Sequence, residues 1–176
     1  MRISIKLWAL LGFAVTSFGG TVLHFLYDWA GKTIWVAPIS GVNESTWEHI
    51  KLFFIPAFLF SIVQSFFLRE RKNFWSVKLC SILLGAIMIP VLFYTLNGVF
   101  GKTPAWINIS IFFISAAISY IFEVKLFNAN KFLFKSQVFA FCTLCVIALL
   151  FLLFTFFTPQ IEIFRDPVNG GFGIQK

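Results

Sequence analysis

Five stretches of this sequence are apolar over the length of a lipid bilayer, and that limits the folds open to the chain. They run Leu7–Leu26, Leu52–Leu68, Cys80–Phe100, Ile107–Val124 and Val138–Phe157. A bilayer core of about 30 Å needs about 20 apolar residues at helical rise. Inside it only helices or closed barrels satisfy their own backbone, and unbroken rather than alternating apolar runs select helices. Only 12% of residues are charged and 59% are hydrophobic. Soluble domains carry about 25% charged residues, so this chain cannot build a water-facing surface. An ordinary soluble domain, a disordered chain and a disulfide-stapled secreted domain are all excluded. The predicted fold is an all-α integral membrane protein: one domain over 1–176, a bundle of about five transmembrane helices. A structured outer loop (27–49) and a C-terminal tail (158–176) flank it. The second and fourth runs are the shortest, which predicts spans standing nearly upright.

The net charge of +7 is spread in small groups between the apolar runs. That is the pattern of membrane orientation, not of a nucleic-acid face, and no nucleic-acid partner is expected. With the N-terminus inside, Arg2, Lys6, Arg69, Arg71, Lys72, Lys78, Lys125, Lys131 and Lys135 are cytoplasmic. Lys32, Lys51, Lys102, Arg165 and Lys176 are then outside, and nine against five favours N-in and C-out. Tyr27, Trp29, Trp35, Trp47 and Trp106 fall at the outer interface, Trp8 and Trp75 at the inner one. The first run is too long for a cleavable signal and lacks a small-x-small site before its next polar residue. Cys80, Cys142 and Cys145 lie within apolar runs and read as small buried hydrophobes. Pro56 and Pro90 predict kinks. Gly19-Gly20 and Gly85-Ala86 predict close helix approaches.

The polar residues separate by side under this topology. Asp28, Glu44, Glu48, Glu162 and Asp166, both histidines, Asn97 and Asn108 are outside. Glu70 and Glu123 are inside, and Glu123 and Gln64 read as isolated. The densest stretch is V-N-E-S-T-W-E-H at 42–49. Read for architecture, Ser45 caps a helix and Glu48 completes a capping box, with Asn43 as an alternative cap. That leaves His49 unexplained, an imidazole entering a membrane span. Read for chemistry, His24 and Asp28 share one helix face and Glu44 and Glu48 another. Two imidazoles with these carboxylates suit a divalent metal such as zinc, or an acid–base pair. The candidate catalytic set is His49, Glu48, His24, Asp28 and Glu44, with His24, Asp28, Glu48 and His49 as metal ligands. Ring nitrogens of the two histidines within about 6 Å would make a shared metal or proton site credible. The tail alternates at Ile161–Phe164 and then reads as turns. Its apolar residues predict folding back over the outer helix ends. Arg165, Asp166 and Asn169, with Asn43, would then close the site.

The V-N-E-S-x-W-E-H-x-K-L stretch at 42–52, the H-x-x-x-D of His24–Asp28 and the D-P-V-x-G-x-x-G-I of 166–174 resemble an uncharacterised family of small multi-pass membrane proteins of mainly Gram-positive bacteria. The resemblance covers the whole chain. It implies an all-helical fold and a bacterial plasma membrane, and carries no activity. Two functional readings follow from the residues. One is an outer-leaflet hydrolase or acyl transferase acting on a lipid or lipid-linked substrate, with Ser45 the single hydroxyl to nominate as nucleophile. The other is a non-enzymatic accessory, ligand-binding or transport component whose outer polar cluster is structural. Against transport, no polar row runs along any single span.

The orientation has a direct test. With the three cysteines replaced, an Asn169→Cys variant is expected to react with an impermeant maleimide in intact cells. Reaction only after permeabilisation would contradict N-in, C-out.

Overall fold

The computed structural model describes residues 4–129 and 136–174. Arg2, Lys131, Lys135 and Lys176 of the orientation argument lie outside those residues. Five helices follow in order: α1 (Ile5–Trp29), α2 (Thr46–Phe67), α3 (Phe74–Phe100), α4 (Ala105–Ala129) and α5 (Gln137–Phe156). A single turn of 3₁₀ helix at Glu162–Phe164 and an isolated bridge between Arg165 and Phe172 shape the tail. All five helices are long and apolar enough to span a membrane.

Local chemistry sets the helix starts. Ser4, Ser45 and Ser136 each cap a helix by accepting a backbone N–H with the side-chain oxygen. α2 has 22 residues and α4 has 25, so both helices extend beyond the short apolar runs that predicted them. Hydropathy registers the apolar middle of a helix. The polar first turn of α2 and the Glu123–Ala129 end of α4 are helical too.

α1 packs on α2 and α4, while α3 packs on α2, α4 and α5. α2 is the most enclosed helix and carries Phe53 and Phe54 at the centre of the core. α5 sits at the edge against α3. Outward faces are apolar, with Phe18 and Val138 more than 70% exposed, as suits lipid and not water. Two of the predicted close approaches are present. A Cβ on Gly20 would strike the Phe112 ring and lie 2.9 Å from the Leu52 carbonyl oxygen. That carbonyl is the one Pro56 cannot bond within α2. A Cβ on Gly85 would strike Phe53 and come within 2.9 Å of Ser119 Cβ.

Glu123 is not isolated. Its carboxylate lies 2.7 Å from Lys78 Nζ, and both side chains are buried between α3 and α4. Tyr120 lies beside the pair, its ring 5.8 Å from Lys78 Nζ and its hydroxyl 2.7 Å from Thr16 Oγ1. A helix that must bury one charge in hydrocarbon requires a partner of opposite sign. Lys78 and Lys51 are thus interior residues and not surface markers. Without them the basic asymmetry stands at eight against four.

Removing one half of the Lys78–Glu123 pair should be far worse than removing both. Glu123→Gln is expected to destabilise the detergent-solubilised protein by about 3–5 kcal/mol, and Lys78→Met with Glu123→Leu to restore most of it. Equal melting temperatures for wild type and Glu123→Gln would contradict the buried pair.

Candidate functional site

The loop between α1 and α2 is held by backbone hydrogen bonds and by one buried side chain. Gly41 N–H donates to Leu23 C=O at 3.1 Å, which docks the loop on the end of α1. Lys51, fully buried, donates to Glu48 Oε2 at 2.6 Å, to Ala37 C=O at 3.1 Å and to Thr155 Oγ1 at 3.0 Å. An ammonium has three N–H groups, and all three are used. Glu48 also accepts from Val42 N–H at 3.0 Å. Its carboxylate therefore faces the loop and Lys51, away from the histidines. The capping box forms only in half. Ser45 Oγ accepts from Glu48 N–H, but Ser45 N–H donates to Asn43 Oδ1 at 2.9 Å.

With Glu48 engaged, Glu44 is the carboxylate that meets the imidazoles. His24 Nε2 lies 3.6 Å from Glu44 Oε1, and His49 Nε2 lies 3.7 Å from Glu44 Oε2. One donor atom from each of His24, Glu44 and His49 lies within 4.8 Å of the others, inside the 6 Å limit set from sequence. Tetrahedral zinc at about 2.0–2.1 Å needs donor atoms about 3.3 Å apart, so a small contraction would close this set on an ion. His49 Nδ1 is 2.9 Å from Ser45 C=O. A proton on Nδ1 donated to that carbonyl leaves the Nε2 lone pair facing Glu44, the orientation a metal ligand requires.

The three residues line a cavity of about 720 Å³ at the C-terminal ends of α1 and α3 and the N-terminal ends of α2 and α4, reached by Pro167 and Val168 of the tail. Its depth is apolar, with Leu52, Ile89, Phe93 and Phe112 among the walls. Its mouth is polar. Lys102, Asn97, Thr103 and Asn108, from α3, α4 and the turn between them, also line it. Thr103 N–H donates to Asn97 Oδ1 at 3.0 Å, and Thr103 Oγ1 lies 2.9 Å from Asn108 Oδ1.

Residues 1–174 match the family of unknown function DUF6512. The chain belongs to that family. No curated protein and no solved structure matches it. For this DUF6512 member the functional argument rests on its own residues.

Placement separates the other candidates. Asp28, one turn beyond His24 on α1, is exposed and outside the three-residue group. Asp166 is buried, but its carboxylate accepts from Val168 N–H at 2.8 Å within its own turn. Asn169 Oδ1 likewise accepts from Gly171 N–H. Arg165 lies 3.7 Å from Glu162 and does not reach the loop carboxylates. The tail does fold back. Phe164 packs on Trp47 at 4.6 Å between ring centroids, and Asn43 Nδ2 donates to Gly173 C=O at 3.0 Å. Asn43 thus ties the tail down, and Pro167 and Val168, not their polar neighbours, overhang the cavity.

Lys51 and Lys102 escaped the sequence reading. Lys51 had one signal, a lysine three residues after Glu48 at the start of an apolar run. Lys102 had none, because its wall forms only when α3 and α4 pack beside α1.

The two glutamates should separate in a melting experiment. Glu48→Gln strands the buried Lys51 ammonium and is expected to cost about 3–5 kcal/mol. Glu44→Gln changes a half-exposed side chain and should stay within about 0.5 kcal/mol. The opposite order would contradict this division of roles.

Proposed function

We propose that this protein is a multi-pass plasma-membrane hydrolase whose extracytoplasmic site acts on a lipid or lipid-linked substrate through a divalent metal, zinc being the best fit. The observation that carries the reading is the convergence of His24, Glu44 and His49 on the wall of a cavity apolar at depth and polar at its mouth. Two imidazoles and one carboxylate with an open fourth position form the donor set of a hydrolytic zinc site. The N-in, C-out orientation puts this mouth on the outer side.

The chemistry is addition of water across an ester bond. A zinc held by His24, Glu44 and His49 would supply Lewis-acid activation of water. Hydrolysis would add one water across the ester, breaking its C–O or P–O bond, with one proton passing to the leaving alcohol. Hydrolysis is favoured over acyl transfer through a serine, because Ser45 Oγ caps α2 and Ser45 C=O orients His49.

Zinc binding tests the reading without knowledge of the substrate. Calorimetry in detergent is expected to give one zinc per chain. His24→Ala, His49→Ala and Glu44→Gln should each abolish stoichiometric binding while the fold is retained. Affinity should fall as the pH is lowered, because protons compete with the metal for the imidazole nitrogens. Zinc binding unchanged in all three variants would overturn the proposal.

A further inference from the structure

We infer that the ligand of this site is a lipid with an anionic phosphate head, which enters sideways from the outer leaflet between α1 and α4 and lodges its head between the metal and Lys102. This rests on the metal-site reading above and extends it to the substrate class.

Depth is the first argument. The lining residues Ile89–Asn97 on α3 and Ala105–Phe113 on α4 each cover eight residues of rise, about 12 Å. Half of a hydrocarbon core of about 30 Å is about 15 Å, so the cavity descends through one leaflet and stops. Its floor is the clamp where Gly20 meets Phe112. The occupant that fits is a molecule with chains below and a head above.

The side wall gives the entry route. Phe25 on α1 and Ile109 and Phe113 on α4 line the cavity and are 44%, 59% and 37% exposed. These apolar side chains form the cavity's side between α1 and α4, where the proposed lateral opening lies. It lies above the Gly20–Phe112 clamp, where a chain can slide in from the leaflet without its head leaving the interface.

The head group follows from charge. Lys102 is the one lysine or arginine among the described lining residues, and it comes from the α3–α4 connection, whereas His24, Glu44 and His49 come from α1, α2 and the loop between them. A divalent cation held by one carboxylate and two neutral imidazoles leaves a net charge of +1. The cavity lining then presents two positive poles from different segments. Asn108 Oδ1 accepts from Thr103 Oγ1, and its amide N–H groups make no hydrogen bond among the described residues. Tetrahedral phosphate directs oxygens toward both poles, and each contact is charge-assisted. A zwitterionic head would bring its own cation against Lys102.

The test uses zinc-loaded full-length protein in maltoside micelles with two fluorescent short-chain probes, a phosphatidic acid and the matched phosphatidylcholine. The expected result is phosphatidic acid bound at least about tenfold more tightly. Lys102→Gln should bring the two probes within about twofold, Lys102→Arg should keep the preference, and both variants should bind zinc as wild type does. Wild-type protein that binds no zinc defeats the metal-site reading itself. Zinc bound normally with equal affinity for both probes, or a preference untouched by Lys102→Gln, overturns the present inference alone. Unlabelled dioctanoyl phosphatidic acid should displace the probe at far lower concentration than inorganic phosphate. Equal potency would make free phosphate the ligand and overturn the lipid assignment.

Discussion

The half of this protein that carries the 27–49 loop is organised around the ammonium of Lys51. A lysine at this depth must have every N–H bonded, since no water reaches it and its side chain is fully buried. The three acceptors are Glu48 on α2, the Ala37 carbonyl of the loop and Thr155 on α5. One cation therefore joins three segments that are distant in sequence. Glu48 extends the connection by receiving Val42 N–H, and the turn it holds delivers Asn43, Glu44 and Ser45. Asn43 fastens the tail, Ser45 caps α2 and orients His49, and Glu44 is left facing the imidazoles.

The bundle thus separates its charges into two kinds. Lys51–Glu48 beside the 27–49 loop and Lys78–Glu123 between α3 and α4 are paired at 2.6 and 2.7 Å and sealed from solvent. They are neutral as pairs and fix how helices and loop meet. His24, Glu44, His49 and Lys102 reach the cavity mouth, where their donor and acceptor atoms can meet a ligand. Glu48 and Glu44 are four residues apart, one in the first turn of α2 and the other in the loop before its Ser45 cap, yet they fall into different kinds. The difference lies in what Lys51 can reach.

The fold was legible in the sequence because hydropathy and capping act locally. Five apolar runs located five helices, and Ser45 marked the start of α2. The helix ends were less legible, because a polar turn that stays helical, such as Glu123–Ala129, carries no hydropathy signal. At the site, spacing identified His24 and His49 and put Glu44 and Glu48 on one face. It could not choose between the glutamates, because that choice depends on Lys51 meeting Thr155, 104 residues away. Asp166 shows the same limit from the tail. Its charge and position suggested a closing residue, but an aspartate before a tight turn bonds its own backbone first, here Val168 N–H.

The central claim is that Glu44, and not Glu48, completes the centre with His24 and His49. X-ray absorption at the zinc edge of the purified, zinc-loaded protein addresses it directly. The account predicts two imidazole nitrogens and carboxylate and water oxygens around the metal. That spectrum should persist in a Glu48→Leu, Lys51→Met double variant, whereas Glu44→Gln should retain no stoichiometric zinc to give it. A zinc environment unchanged by Glu44→Gln but altered by the Glu48→Leu, Lys51→Met pair would contradict the account.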